Sequence, residues 1–263
     1  MLTEQTQQRL QLEIWQLQKP SEVLHLLRDI GRGRVDETAQ HALIDCIKNP
    51  NLFEGSTGCH EWEAGFVLSE FIFSHTKLFK GRRCCELGCG PGVVGISLQR
   101  VGAGSILLTD GDSQTLLNCR HNLGINNVLV KDHDAASPSE AKGVKMAEIK
   151  WENGGSLDAD VFLGADLLYD PGSHAALVQL IGSSLRRGGS VEPKQMILAT
   201  TMRDVASVAS FLRLITDAGL SAELLGDGDL QSLTVRFQRH LDLDKMRRSI
   251  LLHRITANAQ TVM

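Results

Sequence analysis

The chain has 263 residues, of which 42% are hydrophobic and 22% are charged. This length and composition predict one large α/β domain with an extension. Its formal net charge is −4, which argues against nucleic acid as a direct partner. No apolar run approaches the roughly 20 residues of a membrane span, and residues 1–18 lack the apolar stretch of a signal peptide. We therefore expect a cytoplasmic protein that does not associate with membranes.

Residues 1–53 are predicted to form a helical extension. Apolar residues recur at helical spacing on either side of Pro20-Ser21, and a further helix is predicted over 36–47. The segment carries no chemical motif. Two interpretations of it stay open, namely substrate recognition and a cover for the edge of a sheet.

After this extension, strands and helices alternate. A helix is predicted over 62–74. The predicted strands are 83–87, 105–109, 144–150, 161–165, 195–200, 221–225 and 249–255, and the predicted helices between them are 93–101, 113–123, 173–185 and 205–218. Such alternation predicts a doubly wound, seven-strand, mostly parallel sheet with helices on both faces. No clear long helix separates the last two strands, so we expect them to form a terminal antiparallel hairpin.

The first predicted strand contains adjacent cysteines. Cys84 and Cys85 are expected to point to opposite faces of this strand, which is poor geometry for joint ligation of a metal. No second Cys-x-x-Cys pair completes a zinc site. We interpret the six cysteines as reduced, buried side chains and expect no metal.

The same strand runs into a glycine-rich turn, Glu86-Leu87-Gly88-Cys89-Gly90-Pro91-Gly92, which opens a helix. Glycine permits a tight turn and the close approach of a ligand, and the helix directs free N–H groups at that ligand. An adenosine-bearing cofactor is the usual occupant of such a crevice. The glycines alone do not separate nicotinamide, flavin and S-adenosylmethionine proteins. Glu86 favours the last class, because a carboxylate there would repel a pyrophosphate and attract a cationic amino group.

Acidic residues follow the second predicted strand. Asp110 ends that strand, where a carboxylate accepts hydrogen bonds from ribose hydroxyls in either cofactor class. Asp112 competes for this role. It is equally well placed to cap the helix that begins at Ser113.

The fourth predicted strand ends in Ala165-Asp166-Leu167-Leu168-Tyr169. The carboxyl ends of parallel strands line the ligand crevice. Asp166 and Tyr169 are three residues apart, so one turn can direct both side chains toward the same opening. The alternative is that Asp166 caps the following helix and that Tyr169, the only tyrosine of the chain, is an amphipathic surface residue.

Together these segments resemble the seven-strand S-adenosylmethionine-dependent methyltransferases, and within them the family 16 protein-lysine methyltransferases. The matching segments are Thr57-Gly58-x-x-x-Trp62, residues 85–92, Thr109-Asp110, Asn118, Asn122, Trp151 and residues 165–169. The resemblance covers about residues 54–256, and residues 54–263 are accordingly assigned to the methyltransferase domain. One departure is Trp62-Glu63-Ala64-Gly65, since the family commonly has an aspartate and two alanines after the tryptophan.

The resemblance and the turn chemistry imply S-adenosyl-L-methionine as the cofactor. The residues expected to bind it are Trp62, Glu86, Gly88, Cys89, Gly90, Asp110, Trp151 and Ala165. In this scheme Asp110 would bind the ribose hydroxyls, Trp151 would lie beside the adenine, and Trp62 would contact the cofactor at the pocket entrance. Without the resemblance, both tryptophans would be interpreted as core residues.

The resemblance also implies an acceptor site, formed by an Asp-x-x-Tyr element. Asp166 would orient the acceptor amine by a hydrogen bond, and Tyr169 would form one wall of its channel. The implied function is methyl transfer to a lysine side chain of a protein substrate. Within the family the chain resembles the members that methylate elongation factor 2 and their plant relatives, so elongation factor 2 is the candidate partner of an enzyme expected to be monomeric.

Other functions stay open at this stage. One is a histidine or small-molecule acceptor on the same fold, and another is a non-catalytic, cofactor-binding interaction module. A nicotinamide oxidoreductase is disfavoured by Glu86. The Asn-Pro-Pro-aromatic motif of enzymes that methylate amino groups of nucleic acids is absent, since Asp166-Leu167-Leu168-Tyr169 stands in its place.

Overall fold

The computed structural model describes residues 62–131, 143–188, 193–225 and 247–258. Within these ranges it forms one twisted sheet covered by helices on both faces. The predicted N-terminal helices and the proposed domain boundary at residue 54 lie outside the described residues.

The sheet has seven strands, in the order β3-β2-β1-β4-β5-β7-β6. Their bounds are β1 Arg83–Leu87, β2 Ser105–Asp110, β3 Gly143–Glu148, β4 Val161–Ala165, β5 Gln195–Thr201, β6 Leu220–Leu224 and β7 Ile250–Ala257. Strands β1 to β5 are parallel, whereas β7 is antiparallel to both β5 and β6. The predicted doubly wound sheet and its terminal antiparallel hairpin are both confirmed.

Five α-helices cover the sheet in the part of the chain that the structure describes. They are α1 Glu63–Ser74, α2 Val93–Arg100, α3 Ser113–Ile125, α4 His174–Arg186 and α5 Val205–Asp217. One apolar cluster lies against α1, α2 and α3, and a second lies against α4 and α5. Cys84 belongs to the first cluster and Cys85 to the second, which confirms that these neighbours face opposite sides of β1. None of the described helices combines the length and the apolar character that crossing a membrane requires.

Strand β3 is shorter than the sequence predicts. It ends at Glu148, and Trp151–Asn153 forms a short 3-10 turn beyond it. The backbone N–H of Ile149 donates to the carbonyl of Asp110 at 2.8 Å. This contact holds the segment that leads to Trp151 beside the end of β2, at the carboxyl edge of the sheet.

Ion pairs hold the opposite edge of the sheet. Arg83 at the start of β1 contacts Asp160 and Asp158, each at 2.7 Å. The nearly buried Lys194, just before β5, lies 3.0 Å from Asp158. The hydrogen bond that the Arg83 guanidinium donates to Asp160 is the main cause that raises the pKa of Arg83. These contacts tie together the starts of β1, β4 and β5, so the ligand crevice is left to their carboxyl ends, where the order of strands reverses between β1 and β4.

Candidate active site

The glycine turn between β1 and α2 adopts a left-handed backbone at three positions. The φ angles are +64° at Gly88, +49° at Gly90 and +99° at Gly92. A left-handed backbone favours glycine, and close packing at two of these positions leaves no room for a larger residue. A Cβ atom on Gly88 would lie 2.6 Å from Leu167 Cδ2, and one on Gly92 would lie 2.7 Å from Cys119 Sγ. Two of the three glycines are thus required by the protein's own packing as well as by the shape of the turn.

Gly88→Ala is expected to destabilise the fold by about 2–3 kcal/mol, because it combines left-handed strain with a clash against Leu167. The matched control is Gly81→Ala. Gly81 has a φ of +73°, but a Cβ there meets nothing within 4 Å, so it carries the strain without the clash. Chemical denaturation of both variants measures the difference. Equal losses in the two variants would show that the contact with Leu167 is irrelevant.

Hydrogen bonds attach the glycine turn to β2 and α3. The N–H of Cys89 donates to the carbonyl of Thr109 at 2.8 Å, and the N–H of Gly90 donates to Asp110 Oδ2 at 3.2 Å. From α3, Asn122 Nδ2 donates to the carbonyl of Pro91 at 3.0 Å. The conformation of the turn is therefore held in place by its neighbours, which makes it a preformed cradle.

The two aspartates that follow β2 have different structural roles. Asp112 is the N-cap of α3, since its Oδ2 accepts from the N–H of Thr115 at 2.9 Å. Asp110 instead faces the glycine turn, and its Oδ1 accepts from the N–H of Asp112 at 3.1 Å. Of the two candidates, Asp110 is thus the one whose carboxylate lies against the turn.

The carboxylate of Asp110 suits a pair of hydroxyl donors. Burial raises its pKa, and the nearby backbone N–H groups of Gly90, Asp112 and Gly111 offset this effect only in part. Two of these groups form hydrogen bonds within 3.2 Å, Gly90 to Oδ2 and Asp112 to Oδ1, and a carboxylate has about four acceptor sites. Capacity therefore remains on the carboxylate for the two hydroxyls of a ribose.

A second unused hydrogen-bonding group lies next to the turn. Asn118 is fully buried, and within the described part of the chain neither its amide nitrogen nor its amide oxygen has a hydrogen-bond partner. It is one helical turn before Asn122, on the face of α3 that packs against the turn. Buried amides are normally hydrogen-bonded, so the protein without ligand leaves hydrogen-bonding capacity unused beside the cradle.

The acidic and thiol groups of the turn are buried. Glu86 is almost inaccessible at the end of β1. The thiol of Cys89 lies 3.9 Å from that of Cys119. This contact, followed by burial and by the charges of Glu86 and Asp110, raises the pKa of Cys89. A protonated, buried thiol is a poor nucleophile, so Cys89 acts here as a packing residue.

Asp166 follows β4 in a left-handed conformation, with φ +52° and 7% of its surface exposed. Its Oδ1 accepts from the N–H of Thr201 at 2.7 Å, and its Oδ2 accepts from Thr201 Oγ1 at 2.9 Å and from Arg203 Nη2 at 3.0 Å. The alternative that Asp166 caps the next helix is wrong. Asp170 is the cap of the turn that precedes α4, where it accepts from the N–H of Gly172 at 3.0 Å.

Tyr169 lies on the outer side of the same strand end and is 70% exposed. Burial of part of the ring raises the pKa of its hydroxyl, and the negative charges of Asp110 and Asp170 raise it further. Asp166 and Tyr169, three residues apart after β4, thus differ sharply in exposure: the carboxylate of Asp166 is buried, whereas the ring of Tyr169 is open to solvent.

The remaining predicted positions have three different environments. Trp62 is 38% exposed at the start of α1, and the Arg203 guanidinium stacks on its ring at 4.9 Å, so the interpretation of Trp62 as a core residue is wrong. Trp151 is half-buried and packs against the apolar cluster of α4 and α5. Ala165 ends β4 opposite Ala199 and packs against the other cluster.

Sequence reasoning missed Thr201 and Arg203, which hold Asp166. The sequence showed only that Thr201 and Arg203 lie at the end of the next predicted strand, and it is the parallel pairing of this strand with β4 that brings them to Asp166. Glu63, where the chain departs from the family pattern, also contacts Arg203. It begins α1, and its carboxylate lies 4.0 Å from Arg203 Nη2.

A parallel sheet with an antiparallel end hairpin, a glycine turn after β1 and an aspartate ending β2 define the class of Rossmann-like methyltransferases. The family model described as lysine methyltransferase matches residues 46–218. The chain therefore belongs to the lysine methyltransferase family, as predicted, and S-adenosylmethionine is the cofactor of that family.

Individual relatives agree with this assignment. The chain is 30% identical over 176 residues to the protein-lysine N-methyltransferase EFM3 of Chaetomium thermophilum, an alignment that covers 64% of the chain and 49% of the relative. It is 25% identical over 179 residues to the human protein-lysine N-methyltransferase EEF2KMT, covering 65% and 53%. It is 29% identical over 148 residues to the protein N-terminal and lysine N-methyltransferase EFM7 of Yarrowia lipolytica, covering 49% and 53%. The chain thus matches about half the length of these relatives.

Among solved structures, a putative RNA methyltransferase from Pyrococcus horikoshii has a TM-score of 0.50. It is 10% identical and covers 87% of this chain and 100% of that one. At this identity the likeness shows the fold alone.

Proposed function

We propose that this protein transfers a methyl group from S-adenosyl-L-methionine to a lysine side chain of a protein substrate. The observation that carries the proposal is the position of Asp166, a buried carboxylate at the end of β4 in a chain of the lysine methyltransferase family. Bound S-adenosylmethionine would supply an activated methyl group, so that the amine lone pair forms the new N–C bond while the sulfur keeps the electrons of the breaking S–C bond. The protein then needs neither a nucleophile nor a metal of its own.

In this proposal the carboxyl ends of β1 and β2 hold the cofactor. Asp110 accepts hydrogen bonds from the two ribose hydroxyls. Its remaining acceptor sites and its place against the turn support that role. Gly88, Cys89 and Gly90 pass beneath the ligand, and Glu86 attracts its amino group. Trp151 lies beside the adenine, Ala165 closes the floor, and Trp62 forms the entrance.

The end of β4 receives the acceptor amine. An amine attacks only when it is neutral, whereas a free lysine has a pKa of about 10.4. Transfer out of water lowers the pKa of an amine, and so does a nearby cation. Asp166 orients the amine through a hydrogen bond, and the exposed ring of Tyr169 forms one wall of its approach. Positioning of this kind removes several kcal/mol of the barrier, on the order of 7–11 kcal/mol at best.

Elongation factor 2 is the substrate that we propose. Its support is the predicted similarity to the enzymes that methylate this factor, together with the names of relatives that are lysine methyltransferases. We further propose a monomeric, cytoplasmic enzyme in which residues 54–263 form the catalytic domain and residues 1–53 an extension.

Incubation with methyl-labelled S-adenosylmethionine and an unmethylated cell extract tests the proposal. The extract is divided into protein, nucleic acid and small-molecule fractions, and Asp166→Asn serves as the control enzyme. We expect label in protein with the native enzyme and little above background with the variant. Label confined to nucleic acid or to small molecules would contradict the proposal. Label in a protein other than elongation factor 2 would contradict only the choice of substrate.

A further inference from the structure

Arg203 occupies an unusual position at the mouth of the acceptor site. It lies two residues after β5, and its guanidinium contacts Asp166 Oδ2 at 3.0 Å and Glu63 Oε2 at 4.0 Å. The same group stacks on the Trp62 ring at 4.9 Å. Its side chain is 46% exposed, whereas that of Asp166 is 3% exposed. A cation is therefore fixed over a buried carboxylate at the point where a second cation, the substrate lysine, would have to enter.

The hydrogen bonds of Asp166 leave little room for an additional donor. Its Oδ2 already accepts two bonds and its Oδ1 accepts one. Since a carboxylate offers about four acceptor sites, one site remains, on Oδ1. An acceptor amine can thus donate one N–H to Asp166 while Arg203 stays in place.

The charge of Asp166 presents a chemical problem for methyl transfer. A carboxylate beside an amine favours the ammonium form and raises its pKa, commonly by about 1–3 units at close range. The ammonium ion has no lone pair and does not react. A carboxylate that is already paired with a guanidinium keeps its acceptor oxygen but exerts a much weaker attraction on a second cation.

We propose that Arg203 is a positioning residue whose guanidinium neutralises Asp166, so that the site binds the acceptor lysine as the neutral amine. This inference rests on the proposed function. Arg203 contacts neither the reacting atoms nor the cofactor in this scheme, and it acts through Asp166. The Trp62 ring stacks on the guanidinium, and Glu63 lies at a longer distance from it.

Other charged groups around the opening leave this role to Arg203. From β2, Asp110 acts on Tyr169, and from the loop after β4 Asp170 does so as well. On α1, Glu63 lies 4.0 Å from the guanidinium, at the limit of an ion pair. On the α5 side, Asp204 is engaged as the N-cap through the N–H groups of Ala206 and Ser207. None of these groups is a cation. Among the described residues, Arg203 is thus the cation that contacts Asp166.

The test compares Arg203→Met, which removes the charge, with Arg203→Lys, which keeps it. The substrate is the protein that acquires label from the extract, purified in its unmethylated form, and kcat and KM are measured from pH 6 to pH 10 at saturating S-adenosylmethionine. For Arg203→Met we expect the acidic limb of the kcat profile to move up by about one pH unit. At neutral pH its kcat falls about tenfold and its KM for the protein falls, whereas at pH 10 its kcat approaches that of the native enzyme.

Arg203→Lys is expected to keep the native profile. Thermal denaturation and binding of S-adenosylhomocysteine confirm that both variants are folded and have an intact cofactor site. If Arg203→Met loses the same factor in kcat at every pH, or if the two variants behave alike, Arg203 has a merely structural role and the inference is wrong. A native enzyme that transfers no methyl group to lysine would instead refute the proposed function itself.

Discussion

Asp166→Asn is expected to lower kcat by about 10²- to 10³-fold while the variant still binds S-adenosylmethionine with native affinity. The amide is a weaker acceptor than the carboxylate, and its NH₂ group repels the Arg203 guanidinium that Asp166 now holds at 3.0 Å. Asparagine is the matched replacement because it tolerates the left-handed conformation at φ +52°. The measurements are single-turnover kinetics and titration calorimetry with the cofactor.

Two further variants separate chemistry from folding. Asp166→Ala removes the acceptor entirely and is expected to be equally inactive, with an additional loss of about 1 kcal/mol in the free energy of unfolding from left-handed strain. Asp170→Asn changes a nearby aspartate that caps a turn, and asparagine is also a good cap, so this variant is expected to keep native turnover. Native turnover by either Asp166 variant would refute the assignment of this residue.

Asp110→Asn is expected to weaken the binding of S-adenosylmethionine about 100-fold. Hydrogen bonds to a charged acceptor contribute about 1.5–3 kcal/mol each, and the neutral amide weakens or loses both bonds to the ribose. Calorimetric titration of the cofactor measures the effect. Asp112→Asn is the matched control, because Asp112 caps α3 and asparagine preserves a cap. Equal affinities of the native protein and Asp110→Asn would show that the cofactor does not depend on this carboxylate.

The pH dependence of cofactor binding provides a second test of Asp110. Burial raises the pKa of this carboxyl, and its ionised form is by far the stronger acceptor for two hydroxyl donors. The affinity of the native protein is therefore expected to fall on acidification at a higher pH than for an ordinary aspartate. Asp110→Asn is expected to show a weak affinity that does not change over this pH range.

The raised pKa of Asp110 affects the stability of the fold in the opposite direction from its effect on cofactor affinity. A carboxyl whose pKa is raised in the folded protein contributes stability at low pH, and this contribution is lost as the pH rises through the folded pKa. At neutral pH the ionised Asp110 is thus unfavourable for folding without ligand. Asp110→Asn is expected to unfold at a temperature no lower than the native protein, whereas loss of a purely structural residue would lower that temperature.

The strands and helices of the sheet were predictable because buried strands are continuous apolar runs and the intervening helices have apolar faces. Asp110 was predictable as well, since its place follows from the end of β2. The choice between Asp110 and Asp112 was not, because it depends on which carboxylate accepts from Thr115 and which from Gly90. Both contacts are products of the folded chain.

The environment of Asp166 was the least predictable part of the site. Its left-handed backbone is sustained by Thr201, which lies 35 residues further along the chain, and by Arg203, which lies 37 residues away. A local pattern carries no information about such partners. It is the parallel pairing of β4 with β5 that brings them together. The sequence therefore indicated that Asp166 belongs to the site. The partners that balance its charge could be identified only from the structure.

The most direct test of the account is the chemical identity of the methylated residue. Protein labelled by the native enzyme is hydrolysed to amino acids, and the labelled product is separated and identified by mass spectrometry. The account predicts label in Nε-methylated lysine, and its absence when Asp166→Asn replaces the native enzyme. Label in methylarginine or methylhistidine, with none in methyl-lysine, would contradict it.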